Sequence, residues 1–290
     1  MTSVPPTITK TKRLHSTKLR KSSSSPSPPG DKLSSFASIA VGRKSDKDET
    51  RSSKSTKKAR HPSSNDFQKR VEARLKGGKF RFINEQLYTV TGDAAKKSFK
   101  KDPSLFKTYH EGYREQVAQW PSNPLDIIIG ELSTRKNLII ADMGCGEGRL
   151  AESCPDCTVH SFDLLRHKPF ITVANLAKLP LEDQSVHIAV SCLSLMGVDW
   201  ALFVQEAYRI LKPGGLFRVA EVKSRIEDRQ DFLDVFTRCG FVNKTYDDRN
   251  KMFVMCSFIK PKSGAVIPKL SDGEVLELSA TMQPCIYKKR

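Results

Sequence analysis

Between residues 137 and 260, short apolar runs alternate with longer stretches whose apolar positions recur every three or four residues. The runs at 138–142, 158–163, 170–173, 186–192, 215–222 and 241–246 have the length of buried strands, and another covers 251–259. Between them, Trp200, Phe203, Val204, Ala207, Ile210 and Leu211 fall on one helix face, which Lys212-Pro213-Gly214-Gly215 ends with a helix stop and a tight turn. Phe232, Leu233, Phe236 and Cys239 mark a second helix, closed by Gly240. Strands alternating with helices predict a parallel sheet with crossover connections. Only Asp247 to Asn250 separate the last two runs. That is too short for a crossover and enough for a hairpin, so the final strand is expected to run antiparallel.

Ahead of the first strand the texture is helical. NDFQKRVEARL has helix-like spacing, and Gly77-Gly78 and the aromatic-bearing stretch KFRFINEQLYTV follow. A second signal, LFKTYHEGYREQVAQW, stops at Trp120-Pro121, and LDIIIGEL follows Pro124. These segments are expected to form a lid on the sheet behind them. The expected organisation is a disordered basic tail over 1–63, a helical lid over 64–136, the α/β domain over 137–260 and a C-terminal extension over 261–290.

Charge separates the tail from the rest. Residues 1–80 hold 20 Lys and Arg against 6 Asp and Glu, whereas 81–290 hold 29 against 26, so most of the net charge of +17 belongs to the tail. KTKR, KLRK, SSSSPSPP and RSSKSTKKAR contain few large apolar residues, too few to offset an ordering cost of ~1–2 kcal/mol per residue. Such a polycation suits a phosphate backbone, a nuclear-import address, or both. No run reaches a membrane span and no apolar core marks a secretory signal, which points to an intracellular protein. The 7 cysteines, irregularly spaced, are expected to be reduced thiols. Cys154-Pro-Asp-Cys157 with His160 lacks the partners a zinc site needs, so no metal is expected.

The candidate chemistry begins at ADMGCGEGRL, residues 141–150, where Gly144, Gly146 and Gly148 follow the first strand. In doubly wound sheets a ligand lies there, off the carboxyl ends of the strands. Arg149 stands where the dinucleotide fingerprint needs Gly or Ala, and the GK-Ser/Thr of a phosphate loop is absent. The spacing suits a ligand that lays a small charged tail against the loop. Asp163 ends the next strand and can accept both hydroxyls of a ribose, so the pair marks an adenosine ligand. Asn175 and Leu176 follow the third strand, in position to receive the adenine, and Cys192 comes to the same rim from the fourth.

This pattern resembles a class I S-adenosylmethionine-dependent methyltransferase. More narrowly, FINEQLYT, YHEGYREQVAQWPSNPLD, IADMGCGEGRLA, SFDL, SLMG and LKPGGLFRVAEV resemble the ribosomal RNA-processing protein 8 family over about residues 80–260. The resemblance implies a Rossmann-like seven-stranded sheet, S-adenosylmethionine as cofactor, and a nuclear, nucleolar enzyme that methylates N1 of an adenine in large-subunit rRNA. It also implies pre-ribosomal partners, with chromatin or protein partners besides. Its cofactor contacts carry over to His110, Gly144, Asp163, the pair Asn175 and Leu176, and Cys192. At 175 the family usually has Asp where this chain has Asn, which loses a charge at the adenine contact.

The chemistry asks little of side chains. A sulfonium methyl is already electrophilic and neutral adenine N1 already has a lone pair, so alignment and desolvation suffice and no general base is expected. Methylation at a pyrimidine carbon would need a thiolate, and an apolar surround would keep Cys192 inert. Arg114 and Arg149 are candidate contacts to RNA or to the cofactor carboxylate. A competing reading is an adaptor that binds cofactor and RNA or chromatin without transferring methyl groups.

Overall fold

The computed structural model describes residues 64–263 and 269–287, with side chains described from Gln68, all within one compact unit that spans Arg60–Arg290. The basic tail expected over 1–63 lies outside the described residues. Seven strands form one sheet: β1 (Ile139–Met143), β2 (Thr158–Asp163), β3 (Ile171–Val173), β4 (Val186–Cys192), β5 (Leu211–Val222), β6 (Val242–Asp247) and β7 (Phe253–Ile259). Their order is β3-β2-β1-β4-β5-β7-β6. β7 inserts between β5 and β6 and is antiparallel to both, as the short link at 248–252 requires. The order reverses between β1 and β4, which is where a doubly wound sheet opens a crevice.

Alternation along the strands feeds two apolar layers. Ile140, Ile188, Val190 and Ala220 pack with Ile128 and Leu132 of α4 (Pro124–Leu132) and Leu150 of α5 (Arg149–Ser153). On the other face, Ala141, Met143, Phe217 and Val219 pack with α6 (Trp200–Ile210) and α7 (Arg229–Arg238). The last helix, α8 (Asp272–Ser279), closes that layer, where the Trp200 indole donates to the Ser279 carbonyl at 2.8 Å. Among the described residues no helix is long and apolar enough to cross a membrane.

Three places carry local structure that the sequence pattern does not announce. Gly77 and Gly78 do not interrupt the helix, which runs unbroken as α1 (Ser64–Tyr88). Burial of Phe80, Ile83 and Asn84 on its C-terminal half outweighs the ~1 kcal/mol per residue by which glycine disfavours a helix. The turn at KPGG is a bulge inside β5: Leu211 already pairs with Val186, Leu216 resumes at Ile188, and Gly214 takes φ +78° between them. Residues 92–101 form a further helix, α2 (Gly92–Lys101), which the apolar spacing does not announce.

The helices ahead of the sheet are joined through α3 (Pro103–Val117). Gly112, within the YHEGY stretch, is bare because α1 lies on it: a Cβ there would sit 2.4 Å from the Cβ of Phe80. Phe80 in turn packs against Tyr109 and Tyr287, with ring centroids 5.6 and 5.2 Å apart. Asn84 of α1 donates to the Cys285 carbonyl at 2.7 Å, so the C-terminal stretch also holds this helix.

Candidate functional site

Off the carboxyl ends of β1, β2 and β4, the sheet and the helices α1–α4 enclose a cavity of about 440 Å³, within the ~300–1,000 Å³ usual for ligand pockets. His110, Gly144, Asp163, Asn175, Leu176 and Cys192 all line it. Residues that lie far apart in the chain therefore share one space.

The glycine loop answers to packing as well as to a ligand. Gly144 sits at φ +83°, and a Cβ on it would come within 2.3 Å of the Ser194 Cβ, so any side chain there meets the loop after β4. The amides of Gly144 and Cys145 donate to the Phe162 carbonyl, both at 2.9 Å, and the Gly146 amide donates to Asp163 Oδ2 at 2.8 Å. These N–H groups tie the loop to β2. They leave little amide character for a ligand anion.

Asp163 is both buttress and candidate contact. Oδ1 accepts from its neighbour Leu164 at 2.7 Å while Oδ2 holds Gly146, which fixes the carboxylate and leaves lone pairs for further donors. Burial pushes its pKa up to about 6, against the lowering effect of those amides. Asp142, near the end of β1, is 3% exposed and is pushed up to about 7 by burial and by Asp163. One buried and one half-buried carboxyl in a cavity wall favour a cationic ligand, since a positive charge relieves both. Asp142 escaped the sequence reading, although an acid at the end of a buried strand beside a glycine loop was its signal.

His110 lies on α3 among aromatic rings, 4.1 Å from Phe106 and 5.3 Å from Tyr109 by centroid. Burial lowers its pKa to about 4, so the imidazole is neutral at physiological pH and does not repel a cation. The Cys192 thiol is pushed well above its usual range by burial and by Asp142. Held as a thiol, it is a packing surface and a poor nucleophile.

Asn175 meets the cavity differently from its sequence expectation. Its Nδ2 donates to Asp93 Oδ1 at 2.8 Å and its Oδ1 accepts from Ala177 N at 3.0 Å, so the amide links the end of β3 to α2 before any adenine arrives. An amide fits here because the partner is itself a carboxylate. Next to that link, Gly92 N donates to both Asp199 oxygens at 3.0 and 3.1 Å. Gly92, Ala95 and Phe99 of α2 line the cavity, as do Tyr109 and Tyr113 of α3, whose rings stack at 6.3 Å and 16°. Arg114 pairs with Glu147, and Arg149 with Asp126 at 2.7 Å, so both arginines sit at the mouth with acidic partners.

Comparison with known proteins agrees with this geometry. The model of a family described as hypothetical methyltransferase matches residues 66–290. The 25S rRNA (adenine(645)-N(1))-methyltransferase of Schizosaccharomyces pombe is 42% identical, over 80% of this chain and 75% of that protein. The enzyme of the same name from Saccharomyces cerevisiae is 36% identical, over 82% of this chain and 74% of that one. Ribosomal RNA-processing protein 8 of Mus musculus is 44% identical over 76% of this chain, which spans only 47% of that longer relative.

Proposed function

This chain belongs to the hypothetical-methyltransferase family, alongside ribosomal RNA-processing protein 8 and the 25S rRNA adenine-N1 methyltransferases; from that membership we propose that it methylates N1 of an adenine in large-subunit rRNA, with S-adenosylmethionine as donor, during ribosome assembly in the nucleolus. The observation that carries the reading is the single cavity at the strand-order reversal, where a bare glycine loop, a fixed carboxylate at the end of β2 and a neutral buried histidine come together. The fit is chemical as well as spatial. Asp142 and Asp163 suit a ligand that carries an ammonium and a sulfonium, and Asp163 has free lone pairs for ribose hydroxyls.

Bound there, S-adenosylmethionine supplies an electrophilic methyl group. The residues of the chain bind, orient and exclude water. Asp163 holds the sugar, Leu176 and Cys192 give the nucleobase an apolar surface, and His110 covers the ligand from the lid without adding positive charge. Tyr109 and Tyr113 offer ring faces on which an extruded adenine can stack; extrusion itself costs a few kcal/mol if the base lies in a duplex. With N1 uncharged and no proton on it, no base is needed before attack. Positioning supplies the rate, with effective molarities of ~10⁵ M or more for well-aligned groups.

The test is transfer of labelled methyl from S-adenosylmethionine to large-subunit rRNA by the purified full chain, followed by nucleoside analysis. The expected product is 1-methyladenosine at one site. Tight cofactor binding with no label in any RNA would replace the enzyme with an RNA- or chromatin-reading adaptor.

A further inference from the structure

We infer that the outer face of α2 is a docking surface for the sugar–phosphate backbone of the RNA, carried on the helix whose inner face roofs the cavity; the inference rests on the RNA-methyltransferase reading above. In GDAAKKSFKK the buried positions Gly92, Ala95 and Phe99 fall within about 60° of the helix circumference, at 100° per residue. Lys97, Lys100 and Lys101 lie on the exposed side, and the half-buried Lys96 stands at its border with the buried arc. One face lines the ligand space and the other is cationic.

None of the four lysines joins an ion pair among the described residues, although Lys, Arg and acidic side chains pair widely elsewhere in the fold. The nearest acids in the chain are already engaged: Asp93 accepts from Asn175, and Asp102 accepts from Ser104 N and Oγ at 3.0 and 2.6 Å. The helix macrodipole accounts for Lys100 and Lys101 in the last turn but not for Lys96 and Lys97 a turn earlier. Asp93 and Asp102 keep their charge while they hold these neutral donors, but two carboxylates against four lysines leave the helix net cationic and without an ion pair to any of the four among the described residues. A polyanion supplies the missing charge.

A phosphodiester backbone is the polyanion that the location favours. The helix is a fixed platform, because Asp199 holds Gly92 and Asn175 holds Asp93. A strand lying along its outer face passes beside the space that must receive the target base. Lysine serves here as a point charge that tracks phosphates without reading sequence.

The experiment compares rRNA-fragment binding by the full chain, by K96Q/K97Q/K100Q/K101Q, and by a control, R135Q/K136Q/K212Q/K262Q, that removes as many charges at the amino end of the parallel strands. The α2 variant should lose ~10-fold or more in affinity near 150 mM salt, and the slope of log K against log salt should flatten by ~3, while the control changes little. Its calorimetric affinity for S-adenosylhomocysteine without RNA should match the unmodified chain, which certifies that the cavity has folded. Equal losses in the α2 variant and the control, or none in either, overturn the inference while the methyltransferase reading stands. Failure of the unmodified chain to bind rRNA removes both.

Discussion

The rim of the cavity and its roof face the same ligand space but are made of different materials. The rim is sheet: β1, β2 and β4 end in a glycine loop, in Asp142 and Asp163, and in Cys192, each held by backbone pairing to a neighbouring strand. The roof is helix: α2 and α3 bring Gly92, Phe99, Tyr109, His110 and Tyr113, held by side-chain bonds such as Asp199 to Gly92 and Asn175 to Asp93 and by packing of Phe99 and Phe106 against Leu164 and Leu165. A rim built from strand ends has its geometry set by the core. A roof fixed by side-chain contacts has a geometry that single substitutions can alter.

If the rim carries the ligand's binding energy, Asp163→Ala should have the largest effect. It removes an anchor of the glycine loop and the proposed ribose acceptor together, and two charge-assisted hydrogen bonds at ~1.5–3 kcal/mol each predict a loss of ~100-fold or more in S-adenosylhomocysteine affinity. The same carboxylate sets a pH dependence. In the proposed contact ribose hydroxyls donate to ionised Asp163 while Asp142, raised to about 7, faces the same cationic ligand, so affinity should be full above about pH 7 and fall as pH drops through 7 and 6, by up to about tenfold per unit for each carboxylate that must be ionised. His110, with a pKa lowered to about 4, stays neutral through most of that window. A flat profile between pH 7 and 5 would shift the credit from rim to roof.

The roof predicts a smaller effect that a second substitution reverses. Asn175→Asp places a carboxylate against Asp93 and should cost about tenfold in cofactor affinity, whereas Asp93→Asn added to it restores an amide–carboxylate pair with the polarity exchanged. Rescue by the double variant is the readout, since damage unrelated to the link would persist. Smallest of the three is Gly112→Ala. Its methyl group would meet Phe80 at 2.4 Å, and overpacking of ~1–3 kcal/mol is partly offset by the ~1 kcal/mol gain in helix propensity. Thermal unfolding should move down by a few degrees, and a rise would mean that α1 does not press on α3.

The same contrast governs how much the sequence reveals. The strands, the hairpin and the rim are legible because each strand end carries its own punctuation: Gly144 after β1, Asp163 at the end of β2, a short link before β7. The roof has no such local mark. α2 offers only Ala95 and Phe99 at helical spacing, and what fixes it, Asp199, is 107 residues away along the chain. For the same reason the sequence does not show that the helix runs on through Gly77-Gly78, since burial of Phe80 and Ile83 is a tertiary fact. At Asn175 the pattern locates the residue at the rim. Its partner on α2 becomes visible only in the fold.

Calorimetry of S-adenosylhomocysteine against the full chain and against Gly144→Arg tests the central claim most directly, because an arginine at φ +83° must collide with Ser194 and fill the cavity. The prediction is one saturable site on the unmodified chain and no heat from a variant that keeps its secondary structure. Binding that survives the substitution, or no binding to correctly folded unmodified protein, would contradict it.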